Sequence, residues 1–303
     1  YLRSSMIKSF LLIAATWITL ASSAQAPLPD SLQQLIQRAT SDTAKAAALF
    51  ELGDYWSIGD TSKAISYIRR GMQLAKNDPF YQGLGHFFLG RAYFDNDHSK
   101  AEAEFRQANT LLAQFHTSEA YIYASRSWAN IANIAQRGSN EKAYVDILLQ
   151  KAIPLAAKGN DSIRVAVYFM NVALPFMDFK DYDKAIYYFA KSDGIFKRHN
   201  AGVLRRADIY INMAKTYILS GHLPQAKESL AAAQTLLQHD TAAVYSPGFY
   251  GIKGMYHLHA KEWELAEKSV DTGLALARKS GNRPDVKQLL YQQALLFKQQ
   301  NDF

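Results

Sequence analysis

The chain has 303 residues, of which 49% are hydrophobic and 20% are charged, a composition typical of one elongated domain or two compact ones. Its formal charge of +7 is spread without a block of like charges, which indicates a mildly basic surface and argues against a nucleic-acid-binding region. The chain contains no cysteine, which excludes disulfides, thiolate catalysis, cysteine-ligated metal and a lipoprotein anchor.

Residues 1–24 are predicted to form a secretory signal peptide. We interpret the five residues before Met6 as an artefact of the reading frame. Lys8 then supplies a short basic region, and the apolar run FLLIAATWITL and the small-residue stretch ASSAQA follow it. The apolar run is shorter than the roughly 20 residues that span a bilayer, so cleavage after Ala24 is favoured over a retained membrane anchor. The mature protein is therefore expected in the periplasm or another extracytoplasmic compartment.

Residues 25–42 are predicted to contain a leading helix and a linker. The segment DSLQQLIQRATSDTAKAAALF has helical periodicity that is interrupted near its middle. Ser41 or Asp42 is the expected N-cap of the helix that follows.

From residue 43 onward the sequence has an internal repeat with a period near 40 residues. In each unit a small residue is followed 11 or 12 positions later by an alanine. The pairs are Gly53 and Ala64, Gly90 and Ala101, Ala132 and Ala143, Ala173 and Ala185, Ala214 and Ala226, and Gly254 and Ala266, with Ala294 as a seventh first member. Random composition does not produce such regular spacing.

The flanking residues predict two helices in each unit. Large side chains recur four residues before each small residue and, except for Ala135 in the third unit, three residues after it. These positions lie on one face of a first helix that we term helix A. On the second helix, helix B, an apolar residue stands four positions after the alanine and a small residue seven positions after it. These helix-B residues are Ile68 and Gly71, Phe105 and Ala108, Ile147 and Gln150, Phe189 and Ser192, Leu230 and Ala233, and Val270 and Gly273. Gln150 breaks the pattern, and we expect a local shift that lets Ala152 take its place.

The segments FMNVALPFMDFKDYDKAIYYFAKS (169–192) and YINMAKTYILSGHLPQAKESLAAAQ (210–234) resemble the tetratricopeptide repeat (TPR). The resemblance covers residues 43–303. It implies an all-α solenoid of about 6.5 helix-turn-helix repeats, wound into a right-handed superhelix with a groove lined by helices A. One helix pair cannot bury its apolar face alone, so neighbouring pairs stack. The terminal stretch LLYQQALLFKQQNDF matches helix A of a seventh unit, and the solenoid is expected to be truncated within that repeat and to leave an apolar face open.

Other candidate motifs do not predict catalysis. Asp178, Asp181 and Asp183 lie close enough in sequence to bind a divalent cation, but the last two precede a helix B, where carboxylates cap free amides. The stretch GLGHFFLG falls inside a helix A and not in a phosphate-binding loop. His257 and His259 lie on different helix faces. We therefore predict no catalytic residue, metal or cofactor in this region, and an enzyme only if the chemistry lies beyond residue 303.

Three asparagines form the leading candidate site. Asn130, Asn171 and Asn212 lie 41 residues apart, each two residues before the small residue of its helix A. Asparagine can donate and accept hydrogen bonds, so a ladder of these side chains could bind a peptide backbone; the alternative is that they brace neighbouring helices. Further candidates for the groove are Arg91, Arg126, Arg137, Lys215, Met170 and Met177.

These features predict a non-catalytic scaffold that binds a peptide or protein. This region is not expected to bind nucleic acid, and it is expected to contact a membrane only through a downstream segment. A homo-oligomer is a further alternative. The stretch SDTAKAAALFELGDYWSIGDTSKAISYI is similar to exported TPR regions of bacterial sensor histidine kinases and helix-turn-helix regulators, which implies an extracytoplasmic sensory region of a signal-transduction protein. The alternatives are a stand-alone periplasmic TPR protein that assists assembly of envelope complexes, and a repeat protein that regulates an enzyme by flexing around a signalling peptide.

Overall fold

The computed structural model describes residues 28–238 and 247–301, and these residues form α-helices joined by short turns. The predicted signal peptide lies outside the described residues. Within the described ranges no helix has both the length and the apolar character needed to cross a bilayer. The prediction of an all-α repeat fold is confirmed.

The chain forms two compact units, the first ending at Lys76 and the second beginning at Asn77. The helices of the first unit are α1 (Leu28–Arg38), α2 (Asp42–Trp56) and α3 (Thr61–Leu74). Helices α2 and α3 form pair I.

The second compact unit contains the remaining helix pairs, which follow one another along the chain. Pair III has an interrupted second helix, in which a short π-helix lies between two α-helical segments. Pair II is α4 (Pro79–Tyr93) and α5 (His98–Leu112). In pair III, helix A is α6 (Ser118–Arg137), and helix B consists of α7 (Glu141–Ile147), π1 (Leu148–Ala152) and α8 (Ile153–Lys158). Pair IV is α9 (Ser162–Asp178) and α10 (Tyr182–Arg198), pair V is α11 (Val203–Leu219) and α12 (Leu223–Leu237), and pair VI is α13 (Pro247–His259) and α14 (Trp263–Lys279), followed by α15 (Arg283–Asn301).

Short polar side chains fix the starts of many helices. Ser41 caps α2 by accepting a hydrogen bond from the Ala44 amide. Asp181 caps α10 through the Lys184 amide, and its second carboxylate oxygen accepts a 2.6 Å bond from the Lys184 ammonium. The hydrogen bond from Lys184 lowers the pKa of Asp181 below its ordinary value. The carboxylate is therefore engaged in starting a helix.

Within each pair, a small residue on helix A allows the two backbones to approach closely. A Cβ atom at Gly53 would lie 2.5 Å from Cγ1 of Ile68 and 3.0 Å from the Ala64 carbonyl oxygen. A Cβ atom at Gly90 would lie 2.7 Å from the ring of the fully buried Phe105. No such distance is tolerated between non-bonded atoms, so the pair can close only when this position stays small.

The helix-B residues predicted to face helix A are buried in every pair except pair III. Phe105 and Phe189 are completely removed from solvent, and burial of a phenylalanine side chain is worth about 1.5–3 kcal/mol. The helix-B positions that are buried in the predicted register are Ala64, Ile68, Gly71, Ala101, Phe105, Ala108, Ala185, Phe189, Ser192, Ala226, Leu230, Ala233, Ala266, Val270 and Gly273.

Pair III departs from the predicted register by one residue. Ala143 and Ile147, the predicted contact residues, are only partly buried, whereas Tyr144 and Leu148 are buried. Burial raises the pKa of the Tyr144 hydroxyl to about 12. The assignment of Ala143 as the partner of Ala132 was therefore wrong by one position.

The π-helix in pair III explains why Gln150 breaks the small-residue pattern. A π-helical turn accommodates one more residue than an α-helical turn. Because of this insertion, Gln150 is exposed and Ala152 is completely buried, as the expected local shift requires. The carbonyl oxygen of Ala152 accepts a 2.7 Å hydrogen bond from the buried Ser125 hydroxyl, which ties helix A to helix B at this point.

The last described helix, α15, carries an exposed apolar stripe. Leu290 and Phe297 are 42% and 51% exposed, and Ala294 between them is also exposed. These three positions correspond to the residues that face helix B in the other pairs. The stripe therefore stays open in the part of the chain that the structure describes.

We expect Gly90→Ala to destabilise the protein by about 1–2 kcal/mol, because the new methyl group would collide with the buried ring of Phe105. Gly194→Ala is a matched control. It also lies inside a helix, but its Cβ atom would approach only the Arg198 side chain, at 3.7 Å, so we expect about 0.5–1 kcal/mol of stabilisation from helix propensity. Chemical denaturation monitored by circular dichroism measures both, and equal effects would contradict the close-contact account.

The register of pair III predicts opposite tolerances at two neighbouring positions. Ala152→Leu should destabilise the protein by about 1–3 kcal/mol, because extra volume enters a filled core. Gln150→Leu should change stability by less than about 0.5 kcal/mol, since its side chain is exposed. A larger loss at Gln150, again measured by denaturation, would show that the helix keeps the regular register.

Candidate functional site

The candidate site is the accessible face of helices α6, α9 and α11, which carry the three predicted asparagines. Asn130, Asn171 and Asn212 each precede a fully buried alanine by two residues. Because the three buried alanines occupy equivalent places in pairs III, IV and V, the asparagines share one helical offset. All three side chains are partly exposed, so they remain reachable from solvent.

Each asparagine belongs to a stripe of accessible side chains on its helix. The other members lie four residues before it and three residues after it, a spacing that places all three on the same helix face. Each of these residues is partly or fully exposed. We term these sets the three stripes: Arg126, Asn130 and Asn133 on α6; Val167, Asn171 and Leu174 on α9; and Asp208, Asn212 and Lys215 on α11.

The hydrogen bonds of the asparagines bear on the alternative that they brace helices. The Asn212 side-chain amide donates a 2.9 Å bond to the carbonyl oxygen of Asp208, one turn earlier on its own helix. Across the described ranges, no hydrogen bond joins Asn130, Asn171 or Asn212 to a neighbouring helix. Bracing by these side chains therefore has no hydrogen bond to support it.

Arg126 opens the stripe of pair III and is held by aromatic rings. Its guanidinium carbon lies 4.7 Å from the Phe87 ring centroid and 5.2 Å from that of Tyr123, both distances suited to cation–π attraction. Burial raises the pKa of the Tyr168 hydroxyl. The positive charge of Arg126 is one of the influences that lower this pKa and so partly oppose the effect of burial. The guanidinium of Arg126 is thus held against the rings of Phe87 on α4 and Tyr123 on α6.

Asp208 opens the stripe of pair V, and the sequence analysis missed it. The residue is exposed, yet loss of solvation by the surrounding protein raises the pKa of its carboxyl above the ordinary value. Within the described residues the Asp208 carboxylate makes no ion pair. Asp208 lies six residues before Ala214, and Arg126 lies six residues before Ala132. This shared offset could have identified Asp208 as a candidate surface residue from the sequence.

Asn133 closes the stripe of pair III and was also missed. It is partly exposed and lies one turn after Asn130, so it adds a second amide to the same face of α6. The equivalent positions in pairs IV and V hold Leu174 and Lys215. Because this position changes from pair to pair, the repeat pattern gave no signal for it.

Lys215 and Arg91 share a different offset, one residue after the small residue of their helices. Lys215 is partly exposed and closes the stripe of pair V. Arg91 is partly exposed on α4, next to Gly90. Met170 is partly exposed as well and packs against the core between pairs IV and V.

Two residues predicted to line the groove are engaged in other contacts. Arg137 is in the last turn of α6, where its Nη1 is 2.9 Å from Oδ1 of Asp95 and its guanidinium carbon is 4.5 Å from the Phe94 ring centroid. It therefore joins the corner of pair III to the corner of pair II. Met177 is only 7% exposed and packs in the core with Phe189. As a correction to the set drawn from the sequence, we leave both out of the proposed surface.

A polar network sets the position of α11 against α10. Nε of Arg206 is 2.6 Å from Oδ1 of Asp193, and the Tyr210 hydroxyl donates a 2.9 Å bond to Oδ2 of the same carboxylate. The ion pair is largely shielded, with side-chain exposures of 19% and 14%. Loss of one partner from such a pair leaves a poorly solvated charge, so the network favours one relative position of pairs IV and V.

The described residues contain no group of three or more histidine, aspartate or glutamate side chains arranged to hold a metal ion. The three stripes bring together amides, one guanidinium, one carboxylate, one ammonium and aliphatic groups. Chemically, this set can form hydrogen bonds and ion pairs with a bound molecule.

Solved structures share this arrangement of helices. The apo quorum sensor NprR from B. thuringiensis matches with a TM-score of 0.65 at 17% identity, over 90% of this chain and 76% of its own. A Rap protein in complex with Competence and Sporulation Factor matches with a TM-score of 0.52 at 13% identity, over 89% and 80%. A kinesin light chain with nearly identical TPR-like repeats, from Podosopora anserina, matches with a TM-score of 0.53 at 15% identity, over 67% and 97%.

No protein-family model matches the sequence, and no curated protein matches it significantly. The helix pairs, their buried small residues and these structural matches agree with one another. The described chain therefore has the TPR-type helical-repeat fold.

Proposed function

We propose that this protein is a non-catalytic scaffold that binds an extended peptide segment across the three stripes. The observation that carries the proposal is the repetition of one accessible asparagine at one helical offset in pairs III, IV and V. Among the residues that the structure describes, none of the three forms a hydrogen bond to a neighbouring helix. An extended peptide exposes amide donors and carbonyl acceptors along its length. A row of asparagine amides can satisfy both kinds of group, whatever the side chains of the peptide.

The remaining residues of the surface fit the same role. Val167, Leu174 and Met170 offer aliphatic area near Asn171, and the charged residues of the stripes lie on either side along the chain. Apolar contact supplies affinity, and placed polar groups set orientation. The buried helix-pair contacts keep the stripes on rigid elements, so little ordering of the protein is required on binding.

The structural matches support this proposal at the level of the fold. One of them is a quorum sensor, and another was solved with Competence and Sporulation Factor bound. Because their sequence identities to this chain are low, these matches do not identify its ligand. The ligand is therefore inferred from the residues of this chain.

We further propose that the scaffold is the extracytoplasmic sensory region of a bacterial signalling protein. The support is the predicted signal peptide and the opening stretch of the repeats, SDTAKAAALFELGDYW. A stand-alone periplasmic scaffold that assists envelope assembly is the alternative, and the sequence that follows residue 303 in the gene distinguishes them. A membrane-spanning segment of about 20 apolar residues supports the sensor, whereas a stop codon after one capping helix supports the alternative.

Replacing two asparagines should weaken binding without unfolding the protein. We expect Asn171→Ala with Asn212→Ala to raise the Kd for a fluorescent pool of randomised heptapeptides about 10- to 100-fold, because each hydrogen bond contributes about 1 kcal/mol. The melting temperature should move by less than about 2 °C, since both side chains are accessible.

The matched control is Gln225→Ala with Gln234→Ala, which removes two exposed amides from helix B of pair V. This control should leave peptide affinity unchanged in the same polarisation assay. A large loss of stability in the asparagine variant with binding intact would instead support the bracing role.

Export can be measured directly. A fusion of alkaline phosphatase after residue 40 should be active in a bacterial host, because the enzyme acquires its disulfides only outside the cytoplasm. Deletion of residues 10–20, the apolar run, should abolish the activity. Full activity without that run would contradict the predicted signal peptide.

A further inference from the structure

The exposed apolar stripe of α15 runs into a cleft at the start of that helix. The stripe consists of Leu290, Ala294 and Phe297, and we term it the α15 stripe. The cleft has a volume of about 440 Å³ and lies between the end of α14 and the first turns of α15. Leu290 belongs to both, so the α15 stripe and the cleft form one continuous surface.

The cleft combines an apolar lining with positive charge, and we term it the basic cleft. Its apolar lining comes from Ala277 of α14 and from Val286 and Leu290 of α15. Three exposed cations line the same cleft: Arg278, Arg283 and Lys287. Among the residues that the structure describes, none of these three cations forms an ion pair.

The acids near the basic cleft do not balance its cations. Residues 277–290 contain one carboxylate, that of Asp285, and four exposed basic residues: Arg278, Lys279, Arg283 and Lys287. The Asp285 carboxylate already accepts a 2.7 Å hydrogen bond from the Asn282 side-chain amide. Like charges that lie close together repel one another, so an acidic partner would gain from this surface.

We propose that the α15 stripe and the basic cleft dock an amphipathic helix of a partner protein, whose apolar face is flanked by acidic residues. This surface lies on other helices than the three stripes. The proposal therefore goes beyond the proposed peptide-binding function and does not depend on it.

The positions of the α15 stripe favour a helix as the occupant. Leu290, Ala294 and Phe297 stand at the offsets that face helix B in the preceding pairs. In pair VI, Gly254 is equivalent to Ala294, and a Cβ atom there would lie 2.8 Å from Cγ2 of Val270 on α14. Helix-in-groove recognition likewise uses apolar groups three and four residues apart.

The other apolar residues of α15 hold the helix in one rotation. Leu289 and Leu296 are buried in the same core cluster as Leu274 of α14. A Cβ atom at Gly273 would lie 3.0 Å from Cδ2 of Leu289, so the contact between the two helices is close. Because this contact fixes the buried face of α15, the α15 stripe stays on the accessible face.

Charge argues against a second copy of this chain as the occupant. A symmetric dimer brings the same patch of both molecules face to face. Exposed cations lie at both ends of α15, with Arg283 and Lys287 near its start and Lys298 near its end. In an antiparallel pairing of two such helices, Lys298 would face Arg283 and Lys287 of the second copy. Like charges placed opposite one another in an interface oppose binding.

The test uses three fluorescent peptides of about 18 residues, a length at which an alanine-rich helix forms in water. In the acidic peptide, leucines at helical spacing form one stripe, glutamates flank it, and alanines fill the other positions. The basic peptide has lysine for each glutamate, and the shuffled peptide distributes the leucines of the acidic one around the helix. The unmodified protein should bind the acidic peptide at least about 10-fold more tightly than the other two. This binding should weaken at 1 M salt, because ions screen it.

Charge reversal locates the basic part of the surface. Arg283→Glu with Lys287→Glu should make the protein prefer the basic peptide. The matched control is Arg205→Glu with Lys227→Glu, the same charge change at exposed residues near the starts of α11 and α12. The control should keep the preference for the acidic peptide.

A second pair of variants locates the apolar part. Leu290→Ser with Phe297→Ser should weaken binding of the acidic peptide at least about 10-fold, because apolar contact is lost. The matched control is Leu219→Ser with Phe179→Ser, whose side chains are 41% and 50% exposed against 42% and 51% for the first pair. The control should leave the affinity unchanged, and thermal melting checks that each variant is folded.

Other results would overturn the proposal. Equal binding of the three peptides, or binding of none, removes the acidic helix as the occupant. A dimer in sedimentation that Leu290→Ser with Phe297→Ser dissociates would assign the stripe to a second copy. Binding to phosphatidylglycerol vesicles without binding to the acidic peptide would assign it to a membrane. Binding by this chain but not by the complete gene product would show that a segment of the same polypeptide covers it.

The two binding proposals fail separately. Asn171→Ala with Asn212→Ala should leave the affinity for the acidic helical peptide unchanged, since both asparagines lie on helices other than α14 and α15. Leu290→Ser with Phe297→Ser should in turn leave the affinity for randomised heptapeptides unchanged. A loss of both activities in either variant would show that the α15 stripe is not a separate site.

Discussion

The structure depends on one contact, repeated in each helix pair: a small residue of helix A lies against helix B. At Gly90 the gap is so narrow that a single added carbon would reach the ring of Phe105. A contact this close fixes the rotation of both helices about their axes. Since the buried face is fixed, the accessible face is fixed too, and the asparagines recur at one offset. The proposed binding surface is thus a consequence of core packing.

The stacking of pairs adds a second constraint, and polar bonds contribute to it. Arg206 and Tyr210 on α11 both bind Asp193 on α10, which sets pair V against pair IV. In pair III the Ser125 hydroxyl binds the carbonyl oxygen of Ala152 in the π-helix, which fixes helix A against helix B of the same pair. Hydrogen bonds are directional, so the bonds to Asp193 define the position of pair V against pair IV more narrowly than apolar contact alone would. A ligand that spans several stripes therefore meets groups at set intervals.

The sequence predicts the fold well because its main signal is local. The pattern of small and large residues along each helix reports directly on the closest contact, and it located the core of five pairs. Pair III was displaced by one residue because Ala143 lies 11 residues after Ala132, whereas the buried Tyr144 lies at the spacing of 12 that pairs IV to VI have. The π-helical turn begins only at Leu148 and moves the third buried position from Gln150 to Ala152. Residue types do not reveal such a turn. Gln150 was the only trace of it.

Site residues were predicted less well because their roles depend on neighbours in other repeats. Arg137 has the residue type and approximate position of a groove cation, but Asp95 of the preceding pair engages it. Met177 lies four residues after Ala173, on the side of α9 that packs in the core with Phe189 of the same pair, and it is therefore buried. Asp208 was not predicted because the residue at its offset differs from pair to pair, with Arg126 in pair III and Val167 in pair IV. Long-range contacts of this kind follow from the stacking of pairs and leave no mark on the repeat itself.

The most direct test of the account places a single thiol on the proposed surface of a chain that has no other cysteine. Val167→Cys lies in the middle stripe, and Lys227→Cys lies on the exposed face of α12. The rate of alkylation by iodoacetamide is measured for each variant with and without a saturating amount of the randomised heptapeptide pool. The account predicts slower alkylation at residue 167 and an unchanged rate at residue 227. Protection at residue 227 alone, or at neither residue, would contradict it.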